Sequence, residues 1–145
     1  MIRARNLISK LGLLCGPLAK IGVVLLVTLL LASALPVKAQ SKRVEELLNE
    51  LIFTPTTPRP SNWTITVLPQ VQWDKQVKTL NLRTATAFTS MNETKNATFL
   101  NPDYVFNSTE HQLLHTLAHE AGHLICRCTD ERLANDIAEA LEGRQ

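Results

Sequence analysis

The 145-residue chain lacks an apolar run of the roughly 20 residues that a membrane span usually needs. Its longest such stretch, Ile21 to Leu35, stops at Pro36. Preceded by Arg3, Arg5, Lys10 and Lys20 and followed by a small-residue cleavage site after Ala39, that stretch has the make-up of an export leader over residues 1–39. The expected location is therefore periplasmic or secreted, with a membrane contact only through this segment if it is retained uncleaved as an anchor. Cysteine is scarce as well. Only Cys126 and Cys128 follow the leader, and two cysteines separated by one residue rarely satisfy disulfide geometry. A bridged mini-protein framework is excluded, and a free, partly covered thiol is expected at Cys126. Basic charge is also short where a polyanion would need it. Five of the 15 basic residues lie in positions 1–38 and all 13 acids lie beyond them, so residues 40–145 carry a formal net charge of −3. No nucleic-acid partner is expected from that balance. There is no internal repeat, and the length suits one domain with a modest core, helped by a metal if one binds.

The remaining sequence divides into an opening segment, 40–61, and a domain, 62–145. "SKRVEELLNELIF" spaces Val44, Leu47, Leu48, Leu51 and Ile52 as one face of an amphipathic helix, with Ser41 as its cap. Three prolines between Pro55 and Pro60 then forbid helix and predict an extended connector. "WTITVL" alternates like a strand. Beta character continues through Val77, Leu80, Leu82 and Phe88, "MNETKN" reads as a turn, "ATFL" as a short return strand, and Asn101-Pro102-Asp103 as a break. From Ser108 the period becomes helical, with Ser108 or Thr109 as cap. A last helix is expected from about Asp130 to Leu141, with Leu133, Ile137 and Leu141 on its apolar stripe. The predicted class is α+β: a helix, three or four antiparallel strands and two helices.

The proline-free segment "STEHQLLHTLAHEAGHLICR" carries the chemistry. At about 100° per residue, Leu113, Leu114, Leu117, Ala118, Ala121, Leu124 and Ile125 share an arc of about 140°, while His119, Glu120 and His123 form a contiguous sector turned away from it. Histidines at i and i+4 can both reach one ion at about 2.0 to 2.1 Å. A glutamate between them is placed to take a proton from water activated by that ion, and to pass it to a leaving amine. Ala121 and Gly122 are small, which leaves space above the metal or allows close packing of the helix on the sheet.

This His-Glu-x-x-His pattern resembles the zincin metallopeptidases. The longer metzincin pattern is not met, since its further glycine and histidine positions hold Cys126 and Thr129. Gluzincins draw a third ligand from the next helix, often within Glu-x-x-Ala-Asn/Asp, and "ERLAN", Glu131 to Asn135, matches that pattern. The resemblance covers about 30 residues, His115 to Leu141, and departs in one respect: Glu131 follows His123 by only eight residues. It implies a minimal zincin-like fold, a Zn2+ cofactor on His119, His123 and Glu131, Glu120 as general base, and a peptide or protein substrate. Asp130, Cys126 and Cys128 stay open as alternatives to Glu131.

Other residues have weaker readings. His115 is a helix residue at the cleft margin or a contact to a substrate carbonyl, and His111 lies on the surface. Tyr104 is packing at a strand end or an oxyanion donor. Arg127 and Arg132 anchor a carboxylate or offset Asp130 and Glu131. Asn62, Asn92, Asn96 and Asn107 each begin an Asn-x-Thr sequon. The expectation is an exported zinc metallopeptidase. Its rival is an inactive or metal-stabilised zincin-like binding module, because so short a chain has no second subdomain for the opposite wall of a cleft and leaves room for a partner to complete it.

Overall fold

The computed structural model describes residues 39–143 apart from 83–84 and 93–94. The predicted leader, 1–39, lies outside the described residues except for Ala39. Among the described residues no helix is long and apolar enough to cross a membrane. The chain is mixed α+β, as expected, with five helices and three strands described. These are α1 (39–48), β1 (Trp63–Val67), α2 (Gln70–Leu80), β2 (Ala87–Met91), β3 (Asn96–Leu100), α3 (Pro102–Asn107), α4 (Glu110–Cys126) and α5 (Glu131–Leu141).

The sheet is mixed, which corrects the antiparallel expectation. Its order is β1-β3-β2, with β1 parallel and β2 antiparallel to the central β3. A parallel pair needs a crossover, and α2 forms part of it, where beta character was read through Val77 and Leu80. Trp73, Val77 and Leu80 stand at i, i+4 and i+7, so a helix aligns them on one side, and the strand propensity of Val77 yields to the burial of Trp73. Pro69 precedes the helix, and Asn81 ends it in the left-handed conformation (φ 56°) with its N–H on Val77 O. Trp73 packs on Phe88, centroids 5.6 Å apart, and Phe88 on Phe99 at 5.0 Å, which docks α2 against the sheet.

The opening segment belongs to the same core as the rest. Val44, Leu47 and Leu51 are buried with Val67, Leu100, Val105, Leu113, Leu117 and Leu141. Arg43 ties α1 to the end of α3 through hydrogen bonds to the carbonyls of Val105 and Ser108. Ser41 lies inside α1 and does not cap it; helix already runs through Ala39 and Gln40.

Helix α4 begins in a capping box: the Thr109 hydroxyl accepts from Gln112 N–H, and the Gln112 side chain accepts from Thr109 N–H. Its buried face carries Leu113, Leu117, Ala118, Ala121 and Leu124, on the predicted arc. Gly122 serves a closer contact than the sequence suggested, and with a different partner. A Cβ built there would stand 2.5 Å from Ala134 O and 3.0 Å from Ala134 Cα, so the missing side chain lets α5, not the sheet, approach α4. The same closeness moves the apolar stripe of α5. Alanines fit against α4, so Ala134, Ala138 and Leu141 are buried while Leu133 is 43 % exposed.

Candidate metal centre

Helices α4 and α5 form a hairpin joined by 127–130, and the hairpin gathers the predicted ligands. His119 Nε2 and His123 Nε2 lie 3.1 Å apart. The Glu131 carboxylate closes the group, with one oxygen 3.1 Å from His119 Nε2 and the other 3.6 Å from His123 Nε2. One ligand atom from each residue lies within 4.8 Å of the others, so the three can hold a metal ion. The histidines are partly covered, and Glu131 is 73 % exposed at the first turn of α5.

What orients the rings decides what they offer. His119 Nδ1 is 2.8 Å from Asn135 Oδ1, and His123 Nδ1 is 3.0 Å from Cys128 O. Both partners are oxygens that only accept, so each ring carries its proton on Nδ1 and turns its Nε2 lone pair inward. Two lone pairs and a carboxylate aimed at one point repel each other unless a cation or a shared proton sits among them. Imidazole nitrogens with a carboxylate are a donor set that suits a divalent transition-metal ion.

The other three candidates for the third position are occupied elsewhere. Asp130 is the N-cap of α5, its Oδ1 accepting from the N–H groups of Arg132 and Leu133 at 3.0 and 3.1 Å. Cys126 and Cys128 form a disulfide, Cα to Cα 5.2 Å, so neither supplies a thiolate. This corrects the free-thiol expectation. The helix ends at Cys126, and Arg127 in the left-handed region (φ 50°, ψ 44°) reverses the chain, bringing its neighbours within the normal span of a bridge.

Glu120 faces the sheet side of the cleft and is only 7 % exposed. It is more deeply covered than a residue turned wholly from the apolar face would be. Burial pushes its carboxyl above the usual glutamate range; a hydrogen bond from Thr89 and the nearby His119 and His123 pull the other way, and Glu131 adds to the rise. The Thr89 hydroxyl stands 2.5 Å from Glu120 Oε2, 2.7 Å from Thr98 Oγ1, and Trp63 Nε1 stands 2.9 Å from Thr98 Oγ1. An indole only donates and a carboxylate only accepts, so the protons run one way: Trp63 to Thr98, Thr98 to Thr89, Thr89 to Glu120. The chain crosses all three strands. Strand alternation already placed Trp63 on β1 and could have grouped Thr89 with Thr98, but nothing local announced that their common destination was Glu120.

A cleft of about 640 Å³ lies over these groups, between α4 and β2. β2 is an edge strand, paired with β3 on one side and facing the cleft on the other. His115 sits at the cleft margin, its Nδ1 2.6 Å from Oε1 of Glu142, whose side chain is 1 % exposed. Tyr104 lies on α3, not at a strand end, and its hydroxyl donates to Gln112 O at 3.0 Å and pairs with Thr116, so it braces α4. His111, Arg127 and Arg132 are exposed. Asn96, first residue of one sequon, is buried with its amide donating to Ser61 O at 2.8 Å. No family model matches the chain, and no curated protein or solved structure matches it.

Proposed function

We propose that the chain is an exported zinc metallopeptidase of the gluzincin type. The observation that carries this reading is the convergence of His119 Nε2, His123 Nε2 and the Glu131 carboxylate, with both imidazole tautomers set by their outer partners. Bound zinc would supply Lewis acidity toward water and a substrate carbonyl. The protein groups do the rest. Asn135 and the Cys128 carbonyl hold the two rings in place, Glu120 receives a proton at its carboxylate and returns it to the departing amine, and Thr89 keeps that carboxylate aimed. The free edge of β2 offers backbone hydrogen bonds to an extended peptide lying in the cleft. A disulfide agrees with an oxidising compartment outside the cytosol.

The rival reading, a metal-stabilised binding module, draws on the depth of Glu120 and its engagement with Thr89. One experiment separates them. Purified protein is assayed for zinc content and for cleavage of a quenched-fluorescent peptide library, alongside Glu120→Gln. The peptidase reading expects near-stoichiometric zinc in both and a loss of cleavage of at least about a hundredfold in the variant. Zinc without cleavage in the wild type supports the binding module, and zinc in neither removes both.

A further inference from the structure

Cys128 reaches the metal centre through its backbone, and the bridge that its side chain makes spans the turn on which that backbone depends. Its carbonyl takes the proton of His123 Nδ1 at 3.0 Å. Its own N–H and that of Arg127 both return to His123 O, so residues 126–128 wrap the helical turn that bears the ligand. Between the cysteines, Arg127 holds φ 50° and ψ 44°, a conformation that residues other than glycine seldom occupy without help. Two residues past Cys128, Asp130 caps α5, and Glu131 opens it within reach of both imidazoles.

A bridge enclosing one intervening residue removes little loop entropy from the unfolded chain, because that gain grows with loop length. Its effect is therefore concentrated on the connection between the two ligand-bearing helices.

We propose that the Cys126–Cys128 disulfide is a positioning element of the metal centre: closed, it holds the Cys128 carbonyl on His123 and starts α5 where Glu131 can ligate; opened, it loosens both and weakens zinc binding. The inference rests on the metal-centre reading above. It makes the centre responsive to dithiol reductants. A dithiol delivers two electrons and two protons, the Cys126–Cys128 bond breaks to two thiols, and the reductant leaves as its own disulfide.

The test compares zinc dissociation constants of the oxidised full chain and of Cys126→Ser/Cys128→Ser, by competition with a chromophoric chelator. Serine is used because free thiols are themselves zinc ligands. The variant should bind zinc about 10- to 100-fold more weakly, the range for lost outer partners of a metal-bound histidine. A second readout needs no metal: two-bond 1H–15N spectra of the histidine rings at alkaline pH, on the oxidised wild type, on the variant and on wild type reduced with a phosphine. The Nδ1–H tautomer of His123 should dominate in the oxidised chain and give way to a mixture in the two bridge-free states, whether or not the serine variant keeps its full fold. Equal zinc affinity to within about a factor of two, or an unchanged tautomer after reduction, overturns the proposal while leaving the metal centre standing. Oxidised wild type that binds no zinc overturns both.

Discussion

The two halves of the centre are built in opposite ways. The ligand half is local: His119, His123, Glu131, Asn135 and the Cys128 carbonyl all fall within 17 consecutive residues of one helical hairpin. The half around Glu120, the proposed base, is not, since Glu120 is held through Thr89, Thr98 and Trp63 on three different strands. A site of this kind can lose either half without losing the other. The geometry of the candidate ligands depends on how close α5 lies to α4, and that of the proposed base on whether the sheet delivers a hydroxyl to one carboxylate oxygen.

The largest expected effect comes from separating the helices. Gly122→Ala sets a methyl group 2.5 Å from a backbone carbonyl, which no side-chain rotation relieves. The expected cost is about 1–3 kcal/mol of folding stability, typical of overpacking, together with weaker zinc binding as Glu131 and Asn135 move outward. Chemical denaturation and chelator competition measure the two. Normal stability with normal zinc affinity would show that the hairpin is looser than its contacts imply.

Next comes the outer partner of the first ligand. Asn135→Ala removes the oxygen that fixes the His119 tautomer and should weaken zinc binding about 10- to 100-fold, with the melting temperature of the metal-free protein little changed. Zinc affinity equal to wild type would mean that the ring is oriented by packing alone.

The corresponding change in the base half should spare the metal. Thr89→Val keeps the shape and deletes the hydroxyl, so zinc affinity stays the same while peptide cleavage falls about tenfold, and Thr89→Ser restores most of it. The buried Glu120 carboxylate, left without its donor, should also cost about 1–3 kcal/mol of stability. Loss of zinc in Thr89→Val would erase the division between the halves.

The same division explains what could be read from the amino acids. Helical periodicity placed the buried arc of α4, the cap region and the sector with His119 and His123, because all of these depend on neighbours three or four positions away, but it turned Glu120 from the core although the sheet covers it. Glu131 came from the resemblance of "ERLAN" to the gluzincin pattern, and the contact of Asn135 with His119 was not anticipated. Backbone events were not visible in this way: Arg127 gives no hint that it takes a positive φ, so the disulfide, and the carbonyl that it steadies, had no signal. The beta expectation at 77–80 has a different origin. Val77 and Thr79 favour strands and no glycine separates β1 from β2, while the helix is declared by the spacing of Trp73, Val77 and Leu80 and by Pro69 and Asn81 at its ends. The threonine chain is long-range in sequence, and alternation alone does not say which strands will be neighbours.

The smallest effect tests the environment of Glu120 without any substrate. Its pKa is raised in the folded protein, chiefly by burial, from an ordinary value of 4.5. Below that value the carboxyl is protonated in both states and contributes no pH dependence. As the pH climbs from 4.5 through the raised folded value, the unfolded chain gives up its proton first, which favours unfolding; above the folded value the loss is complete and constant. Glu120→Gln has no proton to lose and keeps an oxygen for Thr89. With zinc removed by chelator, the variant should therefore melt at the wild-type temperature near pH 4 and progressively above it toward neutral pH. Zinc should narrow the gap, because a cation beside the carboxylate favours its charged form. A gap that closes as pH rises would mean that Thr89 and the two imidazoles outweigh burial, and that Glu120 is ionised in the fold more readily than in the open chain.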